Sequence, residues 1–413
     1  MSANARTCWQ RLHRVLWVIL IVLLLLLLLL LALDQLPQFT LIPSTPSSAT
    51  SSPHGGASAQ LFPVAAYRDW ERGFDLIPSS PDDFASQNTW IALQEMHQLG
   101  ANAVTFTTSY EVTDLTSSAI YSGRYTATDA SLAVSIQRAQ SLHMLVNLSV
   151  YVDILGGEWR AYLTPTDRNL WFGDYGKILD HLASIAQRYH VHRLSIGAEL
   201  ISLTSATVNP DNTERWLALI RGVRSRYTGL VMYAANWGGS FFLGEYLHIQ
   251  FWRELDVVGI DGYYPLATTP NPSISALELS WQHIHDAILL PFARQVRRPL
   301  VFAEVGYRSI LGVAMTPSNS KRAGSYDVCA QANAYYALLA SWQNSHLLDG
   351  LYWWYWDTSQ QVGAPGDTSF SPRLKPAATI LQSFWNRSPD LLVQQQAILQ
   401  RCASGTTGGA VTW

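Results

Sequence analysis

From Tyr67 onward the chain alternates between short runs rich in β-branched and aromatic residues and longer stretches with helical spacing of apolar positions. The short runs are RGFDL (72–76), ANAVTFTT (101–108), MLVNLSV (144–150), HRLSIGAE (192–199), GLVMYAAN (229–236), LDVVGIDGYY (255–264), PLVFAEVG (299–306) and LDGLYWWYW (348–356). The spacing predicts helices from SSPDDF (79–84) to Gly100, then over 129–143, 174–189, 212–226, 241–252, 275–296 and 327–344, and a last one from near Lys375. Repeated β-then-α units imply a parallel sheet with right-handed crossovers. Eight such units in roughly 320 residues match an α/β fold, a single (β/α)8 TIM barrel. A doubly wound open sheet is the alternative, but no G-x-G-x-x-G follows the first strand.

Ahead of the barrel lies LWVILIVLLLLLLLLLAL, residues 16–33, which carries no charge and is long enough to cross a bilayer. Arg6, Arg11 and Arg14 precede it and Asp34 follows, so the positive-inside rule keeps residues 1–15 in the cytoplasm and puts the rest outside. A cleaved signal peptide is the competing reading. The apolar run is long for one, and no small-x-small site follows it directly, which favours an uncleaved anchor. Residues 34–60, rich in Ser, Pro and Thr, lack the apolar mass to fold and read as a flexible stalk. The barrel domain is expected over 61–390, with a tail over 391–413.

A net charge of −3 offers nothing to a nucleic acid. The 16 Trp and 19 Tyr supply flat faces that suit cores and sugar rings alike. No C-x-x-C spacing joins the three cysteines, and most of the 11 His fall on predicted helices or in the tails, so neither a metal site nor a cofactor is expected. Cys329 and Cys402 lie on the oxidising side of the anchor, either as a disulfide or as two buried thiols. A monomer is expected.

Chemistry in such a barrel sits at the C-terminal ends of the strands. The fourth strand ends on Glu199 and the seventh on Glu304. The sixth ends on Asp261 and Tyr263, the fifth on Asn236 and Trp237, the third on Tyr151, and the eighth on Trp354 and Trp356. Strand alternation would turn Ser195 and Gly197 inward with Glu199, Thr105 and Thr107 inward on the second strand, and Asn147 and Ser149 inward with Tyr151. Polar and small residues therefore gather on the inner side near one end, where a purely structural core would hold branched apolar ones. Two carboxyls across one pocket are what glycoside hydrolysis needs.

The segments YVDILGGEWR (151–160), IGAEL (196–200), GIDGYYPL (259–266) and FAEVGYRS (302–309) resemble glycoside hydrolase family 113, within the large clan of retaining (β/α)8 glycosidases. The resemblance spans roughly residues 65–387. It implies an endo-acting β-1,4-mannanase-like enzyme with Glu199 as acid/base and Glu304 as nucleophile. It also implies an oligo- or polysaccharide substrate. From their places at the strand tips, Asp261, Asn236, Trp237, Tyr151, Trp354 and Trp356 are the candidates to contact it, and Tyr263 is expected beside Glu304 as a hydrogen-bond donor. One departure stands beside the acid/base, where the clan has Asn and this chain has Ala198; Asn236 is a candidate replacement for that sugar contact. Another is the segment LSVYVDI (148–154), where a histidine is expected and Tyr151 is the nearest counterpart. Mutual repulsion should leave the proton on Glu199, with its pKa raised, and Glu304 ionised at a lower one. A non-catalytic sugar-binding barrel and a structural envelope protein are the alternatives. Two facing carboxyls argue against the first, and a polar barrel mouth against the second.

Overall fold

The computed structural model describes residues 70–238, 244–359 and 362–404. The expected anchor and stalk lie outside the described residues. Among the described residues no helix is long and apolar enough to cross a membrane. Eight parallel strands form the barrel: β1 (Glu71–Leu76), β2 (Ala103–Val112), β3 (Leu145–Ile154), β4 (Arg193–Ala198), β5 (Leu230–Asn236), β6 (Val257–Asp261), β7 (Leu300–Val305) and β8 (Leu348–Trp353). Each pairs with its sequence neighbours, and β1 closes the ring against both β2 and β8. The outer layer is α1 (Gln87–Leu99), α2 (Asp129–Ser141), α3 (Arg168–Arg188), α4 (Asn212–Arg224), α5 (Ile274–His283, continued by a wide turn to Leu289 and a further helix to Val296), α6 (Val328–Trp342) and α7 (Pro376–Asn386).

Local chemistry sets the helix ends. The Ser86 hydroxyl caps α1 by accepting from Thr89 N–H, and Gly100 closes it at φ 100°, a value only glycine adopts without strain. SSPDDF, expected to open this helix, instead forms a turn and a 3-10 segment ahead of it. Asp167 caps α3, so that helix starts six residues before its expected position at 174. The helix expected over 241–252 is corrected: the described part of this connection holds two 3-10 turns, Glu245–Leu247 and Trp252–Glu254. Gly244, at φ 81°, admits no regular helix start, and Glu245 is turned inward to polar partners.

The alternation seen in the sequence sorts side chains into two layers. Val104, Phe106, Val146, Leu148, Val258 and Ile260 belong to the cluster beneath the helices. Met232, Ala234, Val257, Val301 and Ala303 form a smaller cluster inside the barrel. On β4 the expectation fails for Gly197. A register shift between Ser195 and Ala198 turns Ala198 inward, and a Cβ on Gly197 would meet Tyr175, Tyr233 and Trp216 in the helix layer. At the N-terminal end of the barrel the buried Glu71 carboxylate accepts from Arg193 (2.6 Å) and Tyr352 (2.7 Å). Burial would raise the pKa of Glu71, but the Arg193 charge and the hydrogen bonds hold it well below the usual range.

The tail expected over 391–413 is also revised. Residues Pro389–Ala403 form a further helix, α8, joined to α6 by a Cys329–Cys402 disulfide. The choice between a disulfide and two thiols is thereby decided.

Candidate active site

A cleft of about 530 Å³ opens at the C-terminal ends of the strands. Glu199 and Glu304 both line it, together with Tyr151, Asn236, Trp237, Tyr263 and Trp354. A larger cavity of about 830 Å³ lies beside the disulfide and holds no pair of carboxyls.

Glu304 is buried at the tip of β7. The register of β7 shifts between Phe302 and Val305, so simple alternation does not govern its direction. Tyr263 donates a hydrogen bond to Oε2 at 2.8 Å, and Tyr151 donates to Oε1. The pKa of Glu304 is raised to about 7: burial is the largest cause, the charge of Glu199 adds to it, and the two phenols and Arg160 pull the other way. Glu304 was expected to carry a low pKa, and its surroundings raise it instead. Desolvation falls hardest on the deeper carboxyl, and Glu304 is the deeper one.

Glu199 follows the irregular end of β4 with a left-handed backbone, φ 52°. Its Oε1 accepts from Asn236 Nδ2 and its Oε2 from Trp159 Nε1, each at 2.7 Å. Asn236, offered above as a sugar contact, thus spends an amide hydrogen on Glu199, while its Oδ1 accepts from Gly238 N–H at 2.9 Å. Tyr151 stacks against Trp354 at 6.2 Å between ring centroids and 27° between planes. Trp237 lines the cleft and leans on Tyr264.

Two expected contacts are corrected. Asp261 is fully buried beneath the cleft, and neither carboxyl oxygen has a protein hydrogen-bond partner. Burial, then the charge of Glu304, push its pKa well above the usual carboxyl range. Trp356 is buried edge-on against Phe74, 5.1 Å away, in the layer behind the barrel. Its shared face with Trp354 was inferred from strand alternation, but β8 ends at Trp353.

Sequence reasoning missed four groups. Trp159 and Arg160 come from the loop after β3. Arg160 pairs with Asp153 at 2.5 Å and lies 3.9 Å above the Tyr151 ring, a cation–π contact. Both fall within the Tyr151–Arg160 motif, so the signal was present without an assigned role. Asp75, at the end of β1, is another buried acid, its pKa raised by burial and then by the charge of Glu304. Glu245 is fully buried and accepts from Tyr233, Thr204 and the Asn236 N–H. Burial raises its pKa to about 7 against those donors. Among the described residues no cluster of His, Cys, Asp and Glu is arranged to hold a metal ion.

The family model for Glycoside Hydrolase Family 113 matches residues 76–373. Among solved structures, a GH113 β-mannanase from Alicyclobacillus acidocaldarius is 23% identical; the match covers 78% of this chain and 98% of that one, with a TM-score of 0.67. A structure described as a GH113 β-1,4-mannanase is 22% identical, covering 78% of this chain and all (100%) of that one, with a TM-score of 0.68. A GH5_18 structure from Streptomyces cattleya in complex with Manβ1-4GlcNAc is 14% identical, covering 81% and 92%, with a TM-score of 0.51. At these identities the likeness is one of fold. No curated protein matches the chain.

Proposed function

The chain belongs to glycoside hydrolase family 113 and acts on O-glycosyl bonds, and on that premise we propose that it cleaves β-linked oligo- or polysaccharide of the β-1,4-mannan type with retention. The observation that carries this reading is the pair of carboxyls lining one cleft, each held by hydrogen bonds from other strands or loops.

In the proposed double displacement the Glu304 carboxylate attacks the anomeric carbon while the Glu199 carboxyl gives its proton to the departing glycosidic oxygen. The C–O bond to the leaving group breaks, and a glycosyl ester to Glu304 forms. The Glu199 carboxylate then takes a proton from water as that water attacks the same carbon and releases Glu304. The hydrogen bonds that Tyr263 and Tyr151 donate to Glu304 support its role: they favour the ionised form that must attack and fix the direction of its lone pairs. Trp354 and Trp237 offer apolar faces for sugar rings. Ala198 removes a polar group beside Glu199, so the sugar 2-hydroxyl would need a donor from elsewhere in the cleft.

The substrate class rests on family membership. It fits two structural neighbours described as β-mannanases, one of them as a β-1,4-mannanase. Reducing-end release over mannans, glucans and xylans tests it: mannan should be cleaved fastest, and faster release from glucan or xylan would reassign the substrate. The apolar run at 16–33 supports membrane anchoring with the barrel outside the cytoplasm. The full chain should accordingly stay with membranes after a high-salt wash and leave them in detergent.

A further inference from the structure

A buried carboxylate normally needs a reason, because removing a charge from water is costly unless donors surround it. Glu245 is fully buried, lies outside the cleft, and takes no part in the displacement described above. Its partners suggest what it does. Oε1 accepts from Tyr233 Oη and from Thr204 Oγ1, both at 2.7 Å. Oε2 accepts from the Asn236 backbone N–H at 2.8 Å.

Each of these groups leads to Glu199. Tyr233 Oη, while donating to Glu245, accepts from the Leu200 N–H at 2.7 Å, the peptide immediately after Glu199. Asn236 Nδ2 donates to the Glu199 carboxylate itself. Thr204 ends the single helical turn Ile201–Thr204 that comes after Glu199. The Glu199 N–H is held by the Ala234 carbonyl at 3.0 Å. A closed ring therefore runs from Glu245 through Tyr233 to the peptide after Glu199, and from Glu245 through Asn236 back to the Glu199 carboxylate. The ring surrounds a backbone that is costly for a residue with a side chain: φ 52° lies in the left-handed region, and such conformations persist only where neighbours over-determine them.

We propose that Glu245 is a positioning residue that fixes the backbone and carboxyl of Glu199 in the orientation needed for proton transfer. It does so by presenting both oxygens of one buried carboxylate to the two segments that hold Glu199. The inference rests on the reading of Glu199 as acid/base. The competing role is a purely structural anchor for the turn after β5, which would affect every substrate alike.

The leaving group distinguishes the two. Glu245→Gln keeps the shape but replaces one acceptor oxygen with a donor. Tyr233→Phe is milder, removing only the hydroxyl between Glu245 and Leu200. In the full chain, kcat/KM is measured for mannotetraose, whose leaving oxygen needs a proton, and for 2,4-dinitrophenyl β-mannobioside, whose leaving group does not. If the wild type prefers another sugar, the glucosyl or xylosyl pair replaces it. Both variants should lose about 10- to 100-fold on the unactivated sugar, within the range general acid catalysis supplies, and only about 3-fold or less on the aryl glycoside. The double variant should lose no more than the worse single one, because both act through one ring. Equal losses on the two substrates, or none on either, would overturn the positioning role. Tyr233→Phe alone decides between the two roles if the Glu245 variant does not fold. Glu199→Ala with normal rates on the unactivated sugar would instead overturn the acid/base assignment and this inference with it.

Discussion

Glu304 combines burial with two phenolic donors, and both sides of that balance are open to test. Tyr263→Phe removes the 2.8 Å hydrogen bond to Oε2. It should lower kcat/KM by about 10-fold, roughly the worth of one hydrogen bond to a charged group. It should also move the acid limb of the pH profile upward, since a donor that favoured the ionised form is gone. In the unaltered enzyme that limb should lie near pH 7, with activity falling as pH drops and Glu304 takes up a proton. The same group ties stability to pH with a defined sign. The folded pKa of Glu304 is raised from its ordinary value of 4.5 to about 7, so its ionisation costs stability as pH rises through that window and costs nothing below it. Glu304→Gln should therefore be more stable than the parent at pH 8, by up to roughly 3 kcal/mol, with the gap closing by about pH 4.5. Denaturant melts at the two pH values check this. Glu304→Ala should abolish turnover, and azide should restore it as a glycosyl azide of inverted configuration. Restored hydrolysis without azide incorporation would move the nucleophile elsewhere. At this scale the tips of the strands were legible, because an acid that ends an apolar strand stands out. Asp261 was misread because the same pattern marks an acid sealed below the floor. Only packing from neighbouring strands separates the two.

Among the elements, two strand irregularities matter most. The register shifts on β4 between Ser195 and Ala198 and on β7 between Phe302 and Val305 lie just before or around the two glutamates. A bulge adds a residue to one strand and re-aims the side chains after it, which is how Ala198 comes to face inward while Gly197 faces the helices. Alternation alone placed Gly197 on the wrong side for this reason. The helix α8 was missed as an element although local signals mark it: Ser388 caps it, Pro389 opens it and Asp390 lies in its first turn. The Cys329–Cys402 bond closes a loop with a separation of 73 residues, for which chain entropy gives about 4 kcal/mol. Cys402→Ser, or reduction of the parent, should lower the melting midpoint and raise proteolysis within 389–403. Neither cysteine lines the cleft, so kcat in the folded protein should be unchanged. A loss of activity without a loss of stability would show that α8 shapes the site.

Across the whole molecule, the barrel separates stability from chemistry by its two ends. The Glu71–Arg193 pair is sealed at the N-terminal end, with Tyr352 as a further donor. Glu71→Ala would leave Arg193 buried without its counter-charge and should cost roughly 3–5 kcal/mol, while kcat of the folded fraction stays near that of the parent. Urea melts paired with active-site titration would test this, and a large fall in kcat would couple the two ends. The sequence by itself determined the eightfold alternation, hence the barrel, and through the strand tips the placement of Glu199 and Glu304 at one end of it. Those are properties of periodicity and position along one chain, which neighbouring segments do not alter. The tertiary structure decided which acids reach the cleft, which carboxyl is the more buried, and how Trp159, Asn236 and Glu245 gather around Glu199. Those depend on register shifts and on groups distant in sequence meeting in space, and burial, which sets the pKa of Glu304, exists only once the barrel has closed.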